Sequence, residues 1–143
     1  MRKYDLQQVI QAIKESSHET AIYVGCDSKF RNGTITFATV VVLHIDSCKG
    51  GIIFAERIYE KKKISIAERL MKEVDFAVQL AVELQPYVGD RKFEVHIDFN
   101  GDANYKSNAY LASASGYVTS MGLKFKIKPG AWAASCAADH LVQ

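Results

Sequence analysis

Asp27 follows the apolar run "IYVGC" and precedes Ser28 and Lys29. A carboxylate in that place does one of two things. It caps its own backbone in a turn, or it serves as a metal ligand at the tip of a rigid strand. Asp98 stands in the same kind of place, at the end of "FEVHID", where Phe93, Val95 and Ile97 face one way and Glu94, His96 and Asp98 the other. If the two strands are neighbours, the two carboxylates come close together. Like charges at short range are unfavourable unless a cation neutralises them, so the pair points to metal ligation more firmly than either residue alone.

Two glutamates of the first long helical stretch compete for a third ligand position. Glu68 follows Ser65 by three, the signature of a capping box, and so has a structural role of its own. At roughly 100° per residue, Glu68 falls on the polar side with Lys72, Asp75, Gln79 and Glu83. Glu73 falls among Ile66, Phe76, Ala77, Leu80 and Leu84. A carboxylate inside an apolar stripe is costly unless it is paired or bound to metal, which makes Glu73 the preferred candidate. The alternative is a residue snorkelling from the edge of the stripe. Asp139 is the fourth carboxylate, in "SCAADHLV", a stretch of small residues able to approach a sheet closely. The helix dipole disfavours an acid in a C-terminal half, so helix chemistry does not account for it; plain surface placement is the other reading.

These residues need elements to hold them. "DLQQVIQAIKES" carries Leu6, Val9, Ile10 and Ile13 at helical spacing after Asp5, a helical extension within residues 1–18. Thr20 to Cys26 reads as a first strand, "RNG" as a tight turn, "TITFATVVVLHI" as a second strand, and "IIFAERIYE" after "KGG" as a third. Two such hairpins imply an antiparallel start. A helix is expected from about Ser65 to Gln85, stopped before Pro86, then the strand "KFEVHID". A helix in "KSNAYLASASGYVTSMG" closed by Gly122, the alternating strand "LKFKIK" and a last helix in "AWAASCAADHLV" complete the order. After the leading helix this is β-β-β-α-β-α-β-α. The 143 residues show no linker or internal repeat, and the expectation is one domain over residues 1–143. No apolar run approaches the roughly 20 residues that cross a bilayer, and "MRKYDLQQVI" lacks the apolar segment of a signal peptide. A cytoplasmic protein with no membrane partner is expected. Cys26, Cys48 and Cys136 form no zinc or disulfide pattern and read as buried reduced thiols.

At this point the chain resembles the ribonuclease H-like superfamily, from about Thr20 to its end. "AADHL" looks like the Ala-Asp-x-Leu of that superfamily's final helix, and Glu73 with Val74, Ala77, Leu80 and Ala81 resembles its helical glutamate and the apolar positions after it. More closely, "HIDFN", "YKSNAY", "GYVTSMG" and "KPGAWAAS…AD" look like the little-characterised bacterial YkuK family. The resemblance implies an α/β fold with a mixed five-stranded sheet flanked by helices. It also implies a nuclease whose carboxylates Asp27, Glu73, Asp98 and Asp139 hold two divalent ions and cleave a phosphodiester bond. Hard oxygen ligands suit Mg²⁺ or Mn²⁺, and two ions about 3.5–4 Å apart clamp an in-line displacement. Asp27 and Asp98 would bridge or flank the ions, with Glu73 on one and Asp139 on the other. Two departures accompany it: Ser28 follows Asp27 where many ribonucleases H have Gly, and the loop "KPGAW" has no histidine.

The formal net charge of +2 neither demands nor excludes nucleic acid. Lys106 and Lys128 are candidates for phosphate contact. Tyr105 and Trp132 flank the implied site and could stack on a base, although the alanines around Trp132 also suit a core residue. Lys61, Lys62 and Lys63 read as a solvated loop or a phosphate contact, and Lys124, Lys126 and Lys128 as a protected edge or a binding face. His44, His96 and His140 show no metal spacing; His96 shares the face of Asp98 and could support a ligand there, but reads first as a satisfied sheet histidine. There is no GxxxxGK[ST] loop for a nucleotide. Beside a metal-dependent nuclease acting on RNA or DNA stands the alternative of a non-catalytic nucleic-acid-binding or protein-interaction module on the same fold.

Overall fold

The Asp5 carboxylate accepts the backbone N–H of Gln7 at 3.0 Å and so caps α1 (Leu6–Glu15). The apolar spacing of that helix carries Val9, Ile10 and Ile13 into the core. The computed structural model describes residues 5–47, 50–100 and 110–128, with the backbone alone for 47, 98–100 and 128. After α1 come β1 (Ala21–Arg31), β2 (Thr34–His44), β3 (Gly51–Glu60), α2 (Ile66–Val88), β4 (Phe93–Asn100), α3 (Leu111–Ser120) and β5 (Lys124–Lys128). The expected last helix, with Asp139 and Trp132, lies outside the described residues, as do Tyr105, Lys106, Cys48, Cys136 and His140.

The strands form one mixed five-stranded sheet in the order β3-β2-β1-β4-β5. β1–β2 and β2–β3 are antiparallel, as the two turn signals required, while β1–β4 and β4–β5 are parallel. Between β1 and β2 the turn residues Asn32 and Gly33 both have positive φ, 52° and 77°. A two-residue hairpin turn that matches the strand twist needs that conformation at both positions, and Asn-Gly supplies it at least cost.

β1 departs from its expected length. It continues four residues past Asp27 to Arg31, because β2 offers a partner at every step, Asp27 to Ala38 and finally Arg31 to Thr34. Asp27 therefore does not end a strand. What ends beside it is the parallel ladder, whose last pair is Cys26 with Ile97, so that Asp27 and Asp98 are the next residues along their two strands.

α2 also departs from expectation by running through Pro86 to Val88. In the last turn the missing proline N–H removes only one backbone bond. Leu84 and Val88 are buried on either side of it, and the Arg91 guanidinium donates to the carbonyl of Val88 at 3.2 Å and of Ser16 at 2.7 Å. That clamp ties the end of α2 to the end of α1. At the other terminus Ser65 Oγ accepts the N–H of Glu68 at 3.1 Å, the backbone half of the anticipated capping box. Ile66, assigned by its spacing to the apolar stripe, is 49% exposed; full burial on α2 begins only at Glu73.

One sheet face carries Ile22, Val24, Cys26, Phe37, Val41, Leu43, Val95 and Ile97, covered by α1, α2 and α3. The opposite face carries Tyr23, Ala38, Val40 and Val42, also buried. No described helix is long and apolar enough to cross a membrane.

Candidate functional site

Glu73 is 6% exposed, whereas Glu68 lies on the solvent side of α2. The helix period that separated the two glutamates thus matches their burial. Desolvating an ionised carboxylate costs several kcal/mol unless something compensates it. Here Ser28 Oγ–H donates to Glu73 Oε2 at 2.5 Å. The same residue holds Asp27 as well, since the backbone N–H of Ser28 donates to Asp27 Oδ1 at 2.9 Å. Asp27 is itself 9% exposed.

Strand alternation explains why Ser28 takes this role. Cys26 and Ser28 project toward α2, and Asp27 shares the face of Tyr23. Glu73 reaches β1 from behind and Asp27 leaves it on the other side, with Ser28 joining them. The field of both carboxylates is felt at Cys26: burial raises its thiol pKa well above the ordinary value, and Glu73 and then Asp27 push it further in the same direction. The residues that act on Cys26 after burial are the two carboxylates of the site. Its described donors are two carboxylates, hard oxygen ligands of the kind that suit Mg²⁺ or Mn²⁺, so the residues fit such an ion in chemistry. Among the described residues no three His, Cys, Asp or Glu side chains gather closely enough to form a complete ligand set.

Cys26, Glu73, Val74, Ala77, His96 and Ile97 line a recess at the end of the parallel ladder that has no room for a water molecule. His96 is 2% exposed and stacks on Tyr23 with ring centroids 4.4 Å apart. Its Nε2 lies 3.3 Å from Glu94 Oε1, while Nδ1 is buried and has no hydrogen-bond partner among the described residues. Burial lowers the His96 pKa, and the contact with Glu94 offsets part of that shift. The satisfied sheet histidine of the sequence reading is thus satisfied at one nitrogen only.

A family model for ribonuclease H-like proteins matches residues 5–143. The chain belongs to the ribonuclease H-like family. No curated protein and no solved structure matches it. The mixed five-stranded sheet with helices is the architecture expected of a ribonuclease H-like chain. Of the implied site residues, the structure brings Asp27 and Glu73 together through Ser28. It puts the backbone of Asp98 one step beyond the Cys26–Ile97 pair. The side chains of Asp98 and Lys128, and the whole of Asp139, Lys106 and Trp132, lie outside the described residues.

Two residues escaped the sequence reading of this ribonuclease H-like chain. Ser28 appeared only as a departure from glycine, although period-2 alternation from buried Cys26 already turns it toward a helix. Arg69 stands four residues before Glu73, on the same side of α2, with its Nε buried and without a hydrogen-bond partner among the described residues. The i, i+4 spacing was the available signal.

The environment of Cys26 makes a checkable claim. With Cys48 and Cys136 replaced by serine, Cys26 is expected to resist iodoacetamide at pH 8 in the folded protein and to label fully in urea, because the thiolate is the nucleophile. Mass spectrometry reads the result. Rapid labelling of the folded chain would contradict the buried, electronegative setting.

Proposed function

We propose that this ribonuclease H-like chain is a divalent-metal-dependent nuclease that hydrolyses phosphodiester bonds of RNA or DNA, of the YkuK type within its family. The observation that carries the reading is the burial of Glu73 behind β1, joined by Ser28 to Asp27 where the parallel ladder to β4 ends. Burial of two acids within one short network is a cost that a bound cation repays.

Asp27, Glu73, Asp98 and Asp139 would hold Mg²⁺ or Mn²⁺, in a two-ion site. When bound, the ions supply an activated water and charge stabilisation for the leaving oxygen. The chain's own contribution is position. The Ser28 hydroxyl fixes the Glu73 carboxylate, its N–H fixes that of Asp27, and the β1–β4 ladder sets the spacing of the Asp27 and Asp98 backbones. Such fixed geometry keeps reorganisation low when charge develops. Arg69, one turn before Glu73 on α2 and with a buried Nε that has no hydrogen-bond partner among the described residues, is a proposed phosphate contact. Lys106, Lys128 and Trp132 are proposed nucleic-acid contacts, the whole of residues 1–143 acting as one cytoplasmic domain.

Labelled single-stranded RNA, single-stranded DNA, hybrid and four-way junction, each with Mg²⁺ or Mn²⁺, test the proposal. The expected outcome is cleavage of at least one of them, abolished in Asp98→Asn with no change in melting temperature. A fully active Asp98→Asn protein would overturn the site. Failure of the wild type on every substrate would favour the non-catalytic binding module.

A further inference from the structure

The end of the sheet toward which β1 runs from Asp27 carries a basic rim. Arg31 closes β1 and pairs with Thr34, and the next residue of β2, Ile35, pairs with Glu60 at the end of β3. Lys61, Lys62 and Lys63 follow directly, before α2 begins at Ile66. The register thus sets Arg31 about two strand spacings, roughly 10 Å, from the start of the lysine run. All four residues are exposed, and none of their side chains makes an ion pair or hydrogen bond among the described residues. Of the acids nearby, Glu60 is held by Lys72 at 2.7 Å, and Glu68 stands in the first turn of α2. The rim is therefore strongly positive, although the formal net charge of the whole chain is only +2.

An aromatic ring stands beside these cations. Tyr59, two residues before the lysine run, is 63% exposed. Its row across the sheet is Tyr59, Thr36 and Lys29, and Lys29 is two residues beyond Asp27. Tyr59 therefore shares the sheet face of Asp27. A run of cations attracts a polyanion, and an exposed ring beside it takes a flat partner. An acidic peptide answers the charge and leaves the ring without one. In a duplex the bases are stacked on one another and closed to it. A single strand answers both, with phosphates for the cations and an unpaired base for the ring. We propose that the β1–β2 tip and the β3–α2 loop grip single-stranded nucleic acid, its phosphates on Arg31, Lys61, Lys62 and Lys63 and a base on Tyr59. Asp27 lies four residues back along β1, about 13 Å away, so a strand held on the rim reaches the carboxylates. Only that destination rests on the nuclease reading. The grip itself is measured without metal, so its failure and the failure of the nuclease are separate results.

The probe is a labelled oligothymidylate of about 12 nucleotides, within the span such surfaces cover, followed by fluorescence anisotropy in EDTA at several salt concentrations. Saturable binding is expected, with log affinity falling linearly with log salt. Lys61→Gln/Lys62→Gln/Lys63→Gln is expected to flatten that slope by about 2, roughly 0.7 for each lost phosphate contact. Arg31→Gln, expected to flatten it by about 0.7, decides the matter if the triple variant does not fold. Tyr59→Ala is expected to weaken binding about tenfold with the slope unchanged, and Tyr59→Phe to bind as the wild type does, because the ring stacks and the hydroxyl does not. No saturable binding, or wild-type affinity and slope in the folded charge variants, would overturn the proposal. So would wild-type binding by Tyr59→Ala, or a duplex of the same length bound as tightly, which would make the rim a plain phosphate contact. Displacement of the oligonucleotide by polyglutamate at equal charge would overturn it too, and would move the surface to an acidic protein partner.

Discussion

Glu73→Gln is expected to lower divalent-dependent cleavage on the order of 10²–10³-fold, while Glu68→Gln stays within about twofold of the wild type. A metal-held charge supplies several kcal/mol in the transition state, and each 1.36 kcal/mol is tenfold in rate. Glu68 is exposed and touches the structure through its backbone N–H, which the substitution leaves intact. Stability is expected to move differently from activity. The glutamine amide oxygen can still accept from Ser28, and removing one of two neighbouring negative charges relieves repulsion with Asp27. The ion-free Glu73→Gln protein should therefore melt no lower than the wild type. A reversed ranking of the two glutamates would move the ligand to Glu68. A collapse in melting temperature would make Glu73 a structural residue instead.

Phe37→Ala is expected to cost about 3–5 kcal/mol, a large share of the roughly 5–15 kcal/mol that holds an ordinary domain together. Phe37 is fully buried on β2 and meets Phe76 of α2 edge-on, with centroids 5.1 Å apart and planes at 67°. The substitution loses both the burial and the edge-to-face contact, worth about 0.5–1.5 kcal/mol. It empties the sheet–helix seam in a core where side chains are close-packed. Phe30, 43% exposed near the end of β1, is the comparison, and Phe30→Ala should stay within about 0.5 kcal/mol of the wild type. Urea midpoints of the two variants provide the measurement. Equal midpoints would mean that the β2–α2 seam is not where the core is held.

Local signals were readable along the chain wherever one residue type answers one backbone requirement. Asp5 and Ser65 cap their helices, and Asn32-Gly33 turns the first hairpin. Helical period, with the capping-box spacing of Glu68 from Ser65, separated Glu73 from Glu68. Features that depend on a partner strand were not readable. "SKFR" after Asp27 lacks a strand's apolar run, yet it is held as strand by Phe37, Thr36, Ile35 and Thr34 of β2. Pro86 marks a helix end by its own chemistry, but tertiary contacts through Leu84, Val88 and Arg91 carry α2 past it. Ser28 looked like a defect in a family pattern because its partner, Glu73, lies 45 residues away.

Cleavage assays can miss a nuclease by offering it the wrong strand, so the most direct test of the carboxylate site is ion binding itself. Mn²⁺ titrated into the full chain, with free ion followed by electron paramagnetic resonance, should show saturable binding, strongly weakened in Asp27→Asn and in Glu73→Gln but unchanged in Glu68→Gln. Absence of saturable binding to the wild type, or equal binding by all four proteins, would contradict the account.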